Sequence, residues 1–459
     1  MDKRHLFSFF AALSIVLLIA SCAPSTTPAP ATVVVEKVVQ VTVPAPTAAV
    51  VEKVVQVTPT PKPVKLVVLT HWGEEFQLKP MQAKFQEYMK LNPHVTIEYQ
   101  TVTFDQLLTK ITTARAAGVS PDIYHFYNLW QPDFVKGGLL AVPPDNIVAD
   151  VKASYSPVSI QSVTYANQIW GYPTEINTYQ LIYNKKILKE AGFDKPPETL
   201  DQLRDVACKT KQVDGSGKIT RSGLIVLPGW DSGVVHPYLS LLWSSGGDYI
   251  SPDGKKALFN SPEGQATLGL YMDMIKNKCI DTSMGQNDFT SGKGAMLIMF
   301  NSLRGQLKST FADGWDNVGV APIPHGPNNT SVALQYNWAF GVDNGSKNRE
   351  EAWKLLQWLD TSSDTTKPSP IGDYLVQVLG AIPSRLNDQK VLAQPLSEPF
   401  LKTYVDSFAV ARPEPVLPRG QEVKTLLQNA IESAWFGKQD PNKALAGAAK
   451  EADRILAEK

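Results

Sequence analysis

The sequence predicts an α/β fold made of two lobes. Apolar, strand-like runs alternate with segments of helical periodicity, which is typical of a layered α/β domain with a mainly parallel sheet. The length of 459 residues exceeds one ordinary domain of roughly 100–200 residues. Residues 171–186 (GYPTEINTYQLIYNKK) place one carboxylate, Glu175, among apolar and aromatic residues. We interpret this stretch as the point where the backbone leaves one lobe and enters the other.

The first lobe opens with three strand signals and two helix signals. Residues 64–70 (VKLVVLT) form an apolar run typical of a buried strand. The helix predicted at 79–91 is stopped by Asn92-Pro93, and the one at 104–117 is closed by Gly118. Further strands are predicted at 95–99 and 121–124.

The remaining elements follow the same alternation. The best-marked helix, residues 262–278, begins with Ser261-Pro262-Glu263, where proline and an acid suit the first turn. Residues 214–218 (DGSGK) lack the alternating acids of a calcium loop, and we interpret them as a hairpin turn. Other predicted helices are 186–191, 200–210, 236–243, 349–359, 422–435 and 441–457; predicted strands are 224–227, 295–300, 318–323 and one within 331–342.

The N-terminus has the features of a secretory signal. Basic residues 3–4 precede a nearly uninterrupted apolar run at 6–20, which is too short to span a bilayer comfortably. The run ends Ile19-Ala20-Ser21-Cys22, which resembles a bacterial lipobox. The resemblance implies cleavage after residue 21 and acylation of the Cys22 thiol. An ordinary signal peptide with a cysteine at this position by chance is the alternative.

Residues 22–63 predict a stalk. They are rich in Pro, Thr, Ala and Val, and the sequence VVEKVVQVT occurs twice, at 34–42 and 50–58. Frequent proline blocks helix and favours extended chain. Such a segment would lift a functional head away from a membrane surface.

Composition excludes some classes of function. Acidic and basic residues balance at 44 each, which argues against a nucleic-acid partner. Cys208 and Cys279 have no metal-ligand spacing, so we expect neither a metal site nor a cofactor. We interpret the two cysteines as buried thiols, and a disulfide in an exported protein is the alternative.

The order of motifs over residues 64–459 resembles the extracellular solute-binding proteins of sugar ABC importers, the group that includes maltose-binding protein. The matching pieces include TFDQLLTKITTARAAGVSPDIY, GYPTEINTYQLIYNKKILKEAG, NSPEGQATLGLYMDMI, GKGAMLIMF and AFGVDNGSKNREEAWKLLQWL. The resemblance implies a type II periplasmic-binding-protein fold with a ligand cleft between two lobes and a multi-segment hinge. It implies hinge crossings at 173–177, 320–324 and 381–385, an N-terminal lobe of 64–175 and 325–382, and a C-terminal lobe of 176–324 and 383–459.

The same resemblance implies a function. A lipid-anchored, monomeric receptor on the outer face of the cell membrane would capture a carbohydrate, in particular an oligosaccharide, and deliver it to ABC permease subunits without catalysis. A sensory receptor and a binding protein for a polyol phosphate are alternatives. A glycosidase using acids such as Glu74 and Glu175 is a third, but it would need two carboxylates at a fixed separation.

Sugar recognition requires planar polar groups for hydroxyls and aromatic rings for the apolar faces. Strand-following loops supply such residues, and ligands bind beyond the carboxyl ends of strands in α/β sheets. The resemblance adds Phe300, Asn301, Trp338 and Arg412. For the tryptophans core packing is the alternative, and for Glu175 it is a hinge salt bridge. The predicted ligand-binding residues are Trp72, Glu74, Tyr127, Asn128, Glu175, Trp230, Trp243, Phe300, Asn301, Trp338 and Arg412.

Overall fold

The computed structural model describes residues 61–327 and 329–458. The predicted signal peptide, the lipobox with Cys22 and nearly all of the predicted stalk lie outside the described residues. No helix within the described ranges is both long enough and apolar enough to cross a membrane.

Most strands of the described chain belong to one mixed sheet, in the order β2-β1-β3-β11-β6-β9-β8-β7. In addition, β10 and β12 pair with β6, and β13 pairs with β11. The strands are β1 (Val64–Thr70), β2 (Val95–Thr101), β3 (Ile123–Tyr127), β4 (Thr164–Tyr165), β5 (Gln168–Ile169), β6 (Tyr172–Asn184), β7 (Gln212–Val213), β8 (Ile219–Ile225), β9 (Gly294–Phe300), β10 (Val318–Ala321), β11 (Leu334–Val342), β12 (Ile382–Pro383) and β13 (Arg412–Pro413).

Helices connect the strands along most of the described chain. They are α1 (Glu75–Leu91), α2 (Phe104–Ala116), α3 (Gln131–Lys136), α4 (Asp145–Ser154), α5 (Pro157–Ser162), α6 (Lys185–Glu190), α7 (Leu200–Thr210), α8 (Asp231–Trp243), α9 (Pro262–Lys276), α10 (Gln286–Thr290), α11 (Arg304–Thr310), α12 (Arg349–Asp360), α13 (Pro370–Tyr374), α14 (Leu386–Val391), α15 (Ala393–Leu396), α16 (Pro399–Asp406), α17 (Gly420–Trp435) and α18 (Pro441–Ala457).

Strand β6 joins two groups of strands. Its first half pairs antiparallel with β11, and its second half pairs antiparallel with β9. The two short strands β12 and β10 also pair with β6, β12 near its start and β10 near its end. The stretch that the sequence marked as a passage between lobes is therefore one continuous strand shared by both groups.

The expectation of a mainly parallel sheet is wrong. Strands β1, β2 and β3 are parallel, as are β8 and β9. Strands β6 and β11, however, run antiparallel to each other and to the neighbours that flank them in the sheet, β9 and β3. Hydrophobic periodicity identifies a buried strand but carries no information about its direction, so the central antiparallel pair was not visible in the sequence.

Glycine at position 171 is required by a close approach of backbone to backbone. A Cβ atom added there would lie 2.3 Å from the carbonyl oxygen of Phe340 in β11. Only glycine leaves room for β6 to enter the sheet beside β11.

Most predicted elements are present, with shifted ends. Helix α1 begins a turn earlier than predicted, at Glu75, and the Gln77 side chain accepts a hydrogen bond from the Glu74 N–H at its start. The strand predicted at 121–124 continues three residues further, through Tyr127, and is buried against β11. Residues 214–218 form the predicted hairpin turn between β7 and β8.

The expectation of two separate buried thiols is wrong. Cys208, in α7, and Cys279, beyond the end of α9, form a disulfide with their Cα atoms 4.6 Å apart. Sequence separation did not reveal this pairing, because the two cysteines are 71 residues apart and come together only when α7 and α9 pack side by side.

Candidate functional site

A cavity of about 410 Å³ lies where β6 passes between the two groups of strands. Its walls come from the β1–α1 connection, the end of β3, the middle of β6, the start of α8, the segment after β9 with α11, and β11. Binding pockets for small ligands commonly have this size and are lined by rings with a few polar groups.

One wall of the cavity is aromatic. The Trp338 ring stacks on His71 with centroids 4.2 Å apart, and Tyr127 lies 5.7 Å from Trp338. Trp338 is only 3% exposed, so packing holds this lining ring in place. The other lining rings are Trp72, Phe76, Phe104, Trp230, Phe300 and Tyr336. Such ring faces suit the C–H faces of a flat ligand.

The polar wall of the cavity consists of side chains that are uncharged apart from Glu74. Gln286 and Gln306 are hydrogen-bonded to each other, with Nε2 and Oε1 2.6 Å apart. Ser302 donates a hydrogen bond to Asn177 Oδ1 over 2.6 Å. Amides and hydroxyls of this kind can both donate to and accept from a ligand hydroxyl. Glu74, Gln77, Ser232, Ser309 and Thr310 complete the polar lining.

Glu175 lies in β6 and is also a lining residue of the cavity. It is 3% exposed, and its Oε2 atom has no hydrogen-bond partner among the described residues. The nearest basic group is His125, whose Nε2 lies 3.5 Å from Oε2. That nitrogen is already hydrogen-bonded to Thr174 Oγ1 at 2.8 Å. A buried carboxylate oxygen left unpaired carries a desolvation cost.

The lining residues of the described chain contain two acids, Glu74 and Glu175, and no lysine or arginine. His71 also lines the cavity. Burial, and then repulsion from His125, lower the pKa of His71 well below 6.5 and keep its ring neutral near pH 7. The cavity is therefore acidic or neutral in character.

A buried polar network supports the cavity from behind. Lys424 of α17 is fully buried, and its ammonium donates to Ser232 Oγ at 2.8 Å and to the Tyr127 hydroxyl at 3.2 Å. It also lies 2.8 Å from His236 Nε2 and 3.6 Å from Glu414 Oε1. Burial raises the pKa of Glu414, whereas burial and then Lys424 lower that of His236. The network holds two lining residues, Tyr127 and Ser232, in place.

The structure brings most of the sequence-predicted site residues together. Those that line the cavity are Trp72, Glu74, Tyr127, Glu175, Trp230, Phe300 and Trp338.

Four predicted site residues lie outside the cavity lining and have structural partners. Asn128 accepts a hydrogen bond from the Asn337 N–H. The Asn301 side chain is hydrogen-bonded to the backbone of β6: it accepts from the Thr178 N–H at 3.0 Å and donates to the Ile176 carbonyl at 3.2 Å. Arg412 forms an ion pair with Asp248, in which its Nη2 atom donates to both carboxylate oxygens. Its guanidinium also lies over the Trp243 ring, 4.9 Å from the ring centroid. These contacts account for the four side chains without a ligand.

Sequence reasoning missed the polar wall and several rings. His71 directly precedes Trp72, and Tyr336 is two residues before Trp338. Their proximity in sequence to a selected tryptophan could have identified them as lining residues. Gln286, Gln306 and Thr310 had none, because they belong to short helices whose orientation depends on the packing of α10 and α11.

Comparisons with known proteins bear on the family of this chain. The family model for bacterial extracellular solute-binding proteins matches residues 77–364. A putative binding protein of Brucella abortus (strain 2308) is 28% identical over 378 residues, covering 80% of this chain and 87% of the relative. A galactooligosaccharide-binding protein of Bacillus subtilis (strain 168) is 26% identical, covering 73% of this chain and 77% of the relative. A maltotriose-binding protein of Pyrococcus abyssi is 24% identical, covering 72% and 69%.

Solved structures share the fold. A solute-binding protein of Thermotoga lettingae bound with α-D-tagatose superposes with a TM-score of 0.76 at 23% identity, covering 86% of this chain and all (100%) of the other. A maltose-bound protein of T. maritima gives 0.73 at 23% identity, covering 85% and 100%. The predicted type II periplasmic-binding-protein fold is confirmed. With the family model matching well over half of its length, this chain belongs to the bacterial extracellular solute-binding proteins.

Proposed function

We propose that this protein captures a carbohydrate, in particular an oligosaccharide, in the cavity at β6 and delivers it to an ABC importer. The observation that carries the proposal is the pairing of an aromatic wall with a polar wall around Glu175, whose Oε2 has no partner among the described residues. Rings cover the C–H faces of a sugar, while amides, hydroxyls and the carboxylate bond its hydroxyls. Relatives that bind maltotriose and galactooligosaccharides support the ligand class.

Two lobes closing over the ligand would make this capture possible. We assign residues 64–175 and 325–382 to the N-terminal lobe, and 176–324 and 383–459 to the C-terminal lobe. The pairing of β6 with β11 in its first half and β9 in its second supports a boundary within this strand. The short strands β10 and β12, which also pair with β6, are the other hinge crossings in this proposal.

The lining argues against the polyol-phosphate alternative. A phosphate brings up to two negative charges, and arginine or lysine side chains commonly balance them. The described lining residues supply two acids and no lysine or arginine. We therefore place a neutral or cationic ligand ahead of an anionic one.

The role is non-catalytic in this proposal, and the protein is exported and held at the outer face of the membrane through Cys22. Mass spectrometry of the mature N-terminus tests the anchor: acylated Cys22 is expected, and an unmodified chain cleaved elsewhere would contradict it. Sugar products released from an oligosaccharide by the purified protein would contradict the non-catalytic role.

A thermal-shift panel of mono-, di- and oligosaccharides tests the ligand class. A true ligand at 100 times its dissociation constant should raise the free energy of unfolding by about 2.7 kcal/mol. A shift with peptides, polyol phosphates or metal ions and none with any carbohydrate would contradict the proposal. Transport assays with and without candidate ABC permease subunits separate import from sensing.

A further inference from the structure

We propose that the preferred ligand is a carbohydrate with a basic nitrogen, such as an amino sugar, and that Glu175 receives its ammonium group. This inference rests on the carbohydrate-binding function proposed above and narrows its substrate class.

The first support is the charge of the lining. Glu74 is exposed, Glu175 is buried within the cavity, and no described lysine or arginine side chain lines the wall to balance them. His71 is kept neutral by burial and by His125, so it does not neutralise the acids. An unbalanced carboxylate in a site shielded from water attracts a cation more strongly than it attracts a hydroxyl.

The second support is the state of the Glu175 carboxylate. Its Oε2 has no hydrogen-bond partner in the described chain, and its one ion-pair contact is His125 at 3.5 Å, whose facing nitrogen already bonds Thr174 Oγ1. A structural buried acid is normally paired with a basic group and fully hydrogen-bonded. The contact of Glu175 with His125 is long and the histidine nitrogen is shared with Thr174, so the charge of Glu175 is only weakly balanced by the protein.

The third support is the ring lining beside Glu175. In the register of β6 and β11, Tyr336 lies opposite Asn177, two residues along β6 from Glu175. Tyr336 and Trp338 both line the cavity. Aromatic faces attract ammonium groups, and the attraction increases when water is excluded.

The buried lysine behind the cavity does not oppose a charged ligand. Lys424 lies behind Tyr127 and Ser232, is fully buried, and is not a lining residue. Its charge is offset by Glu414 Oε1 at 3.6 Å and Asp231 Oδ2 at 3.8 Å. A ligand ammonium at Glu175 therefore meets acids and rings rather than an exposed positive charge.

Titration calorimetry on the full chain with three β-1,4-linked disaccharides tests the inference. The probes are the glucosamine disaccharide, cellobiose, and N,N′-diacetylchitobiose, in which the nitrogen is kept but its charge is removed. The glucosamine disaccharide should bind at least about tenfold more tightly than either neutral probe, as a charged hydrogen bond is stronger than a neutral one by this order. The advantage should decrease as salt is added.

Glu175→Gln keeps the shape of the side chain and removes its charge, so the preference should disappear. Glu87→Gln makes the same change at an exposed position of α1 outside the cavity lining and should keep it. Thermal unfolding of both variants checks that they fold.

Equal or tighter binding of a neutral probe, no binding of the amine, or a preference that survives in Glu175→Gln would overturn the inference. If neutral sugars bind without an amine preference, carbohydrate capture stands and only this inference falls. If no carbohydrate in the wider panel binds, both fall.

Discussion

Glu175 and Glu414 are equally buried, at 3% exposure each, but they have different surroundings. Glu414 has Lys424 and His236 within 3.6 Å, inside the polar network behind the cavity. Each carboxylate has one buried oxygen without a hydrogen-bond partner among the described residues, but Glu175 lines the cavity and its basic neighbour is a single histidine at 3.5 Å. Burial alone therefore does not distinguish the two acids, and we propose that the set of partners separates a structural acid from a ligand-binding one.

The largest effect is expected from the network. Lys424→Met should lower the free energy of unfolding by about 3–5 kcal/mol, because it leaves Glu414 and Asp231 buried or half-buried without their cation. Urea unfolding of the unliganded protein measures this loss. Lys450→Met, at an exposed position of α18, is the matched control and should change stability little. A small loss for Lys424→Met would show that the network is not structural.

The acid at the cavity should show the opposite behaviour. Glu175→Ala should weaken sugar binding by about 1.5–3 kcal/mol, the contribution of a hydrogen bond to a charged group, and leave the unliganded melting temperature nearly unchanged. Calorimetry and thermal unfolding of the same preparations measure both quantities. A large loss of unliganded stability with unchanged affinity would instead identify Glu175 as a hinge residue.

A third test uses the cavity histidine. Burial and repulsion from His125 lower the pKa of His71 below 6.5, so the unfolded chain takes up a proton at mildly acidic pH that the folded chain does not. Stability from this residue is present above 6.5 and is lost as the pH falls. Between pH 6.5 and 5.5 the wild type should therefore lose about 1 kcal/mol more than His71→Phe, which keeps a ring against Trp338. Parallel urea titrations at the two pH values check this; identical losses would contradict it.

The smallest effect is expected at Arg412. Its ion pair with Asp248 is partly exposed, with 42% of the arginine side chain accessible, so Arg412→Ala should cost about 0–1 kcal/mol of stability. Sugar affinity should not change, because Arg412 lies outside the cavity lining. Weaker binding in calorimetry would show that the contact implied by the family resemblance forms when ligand is present.

The sequence predicted local elements better than their assembly. Strand β1 and helix α18 were found with their observed ends, because apolar periodicity and flanking proline mark them directly. The antiparallel direction of β6 and β11 and the Cys208–Cys279 pair depend on contacts between segments far apart in sequence. Single-residue patterns do not contain that information.

The same limit applies to the site. Trp72 and Glu175 were selected because an aromatic or a lone acid stands out in its own segment, and Trp338 was selected by resemblance. Asn301 was selected by resemblance, but its amide is used to hold β6. The polar wall from Gln286 to Thr310 consists of common surface residue types, which acquire a role only through the placement of α10 and α11.

The disulfide makes the stability of this chain depend on its compartment. In a reducing cytoplasm Cys208 and Cys279 would be thiols. Closing a loop of 71 residues stabilises a fold by about 4 kcal/mol in the chain-entropy treatment. That difference corresponds to about a thousandfold change in the ratio of folded to unfolded chain. An exported protein of this design would be easier to keep unfolded before secretion and harder to unfold after it.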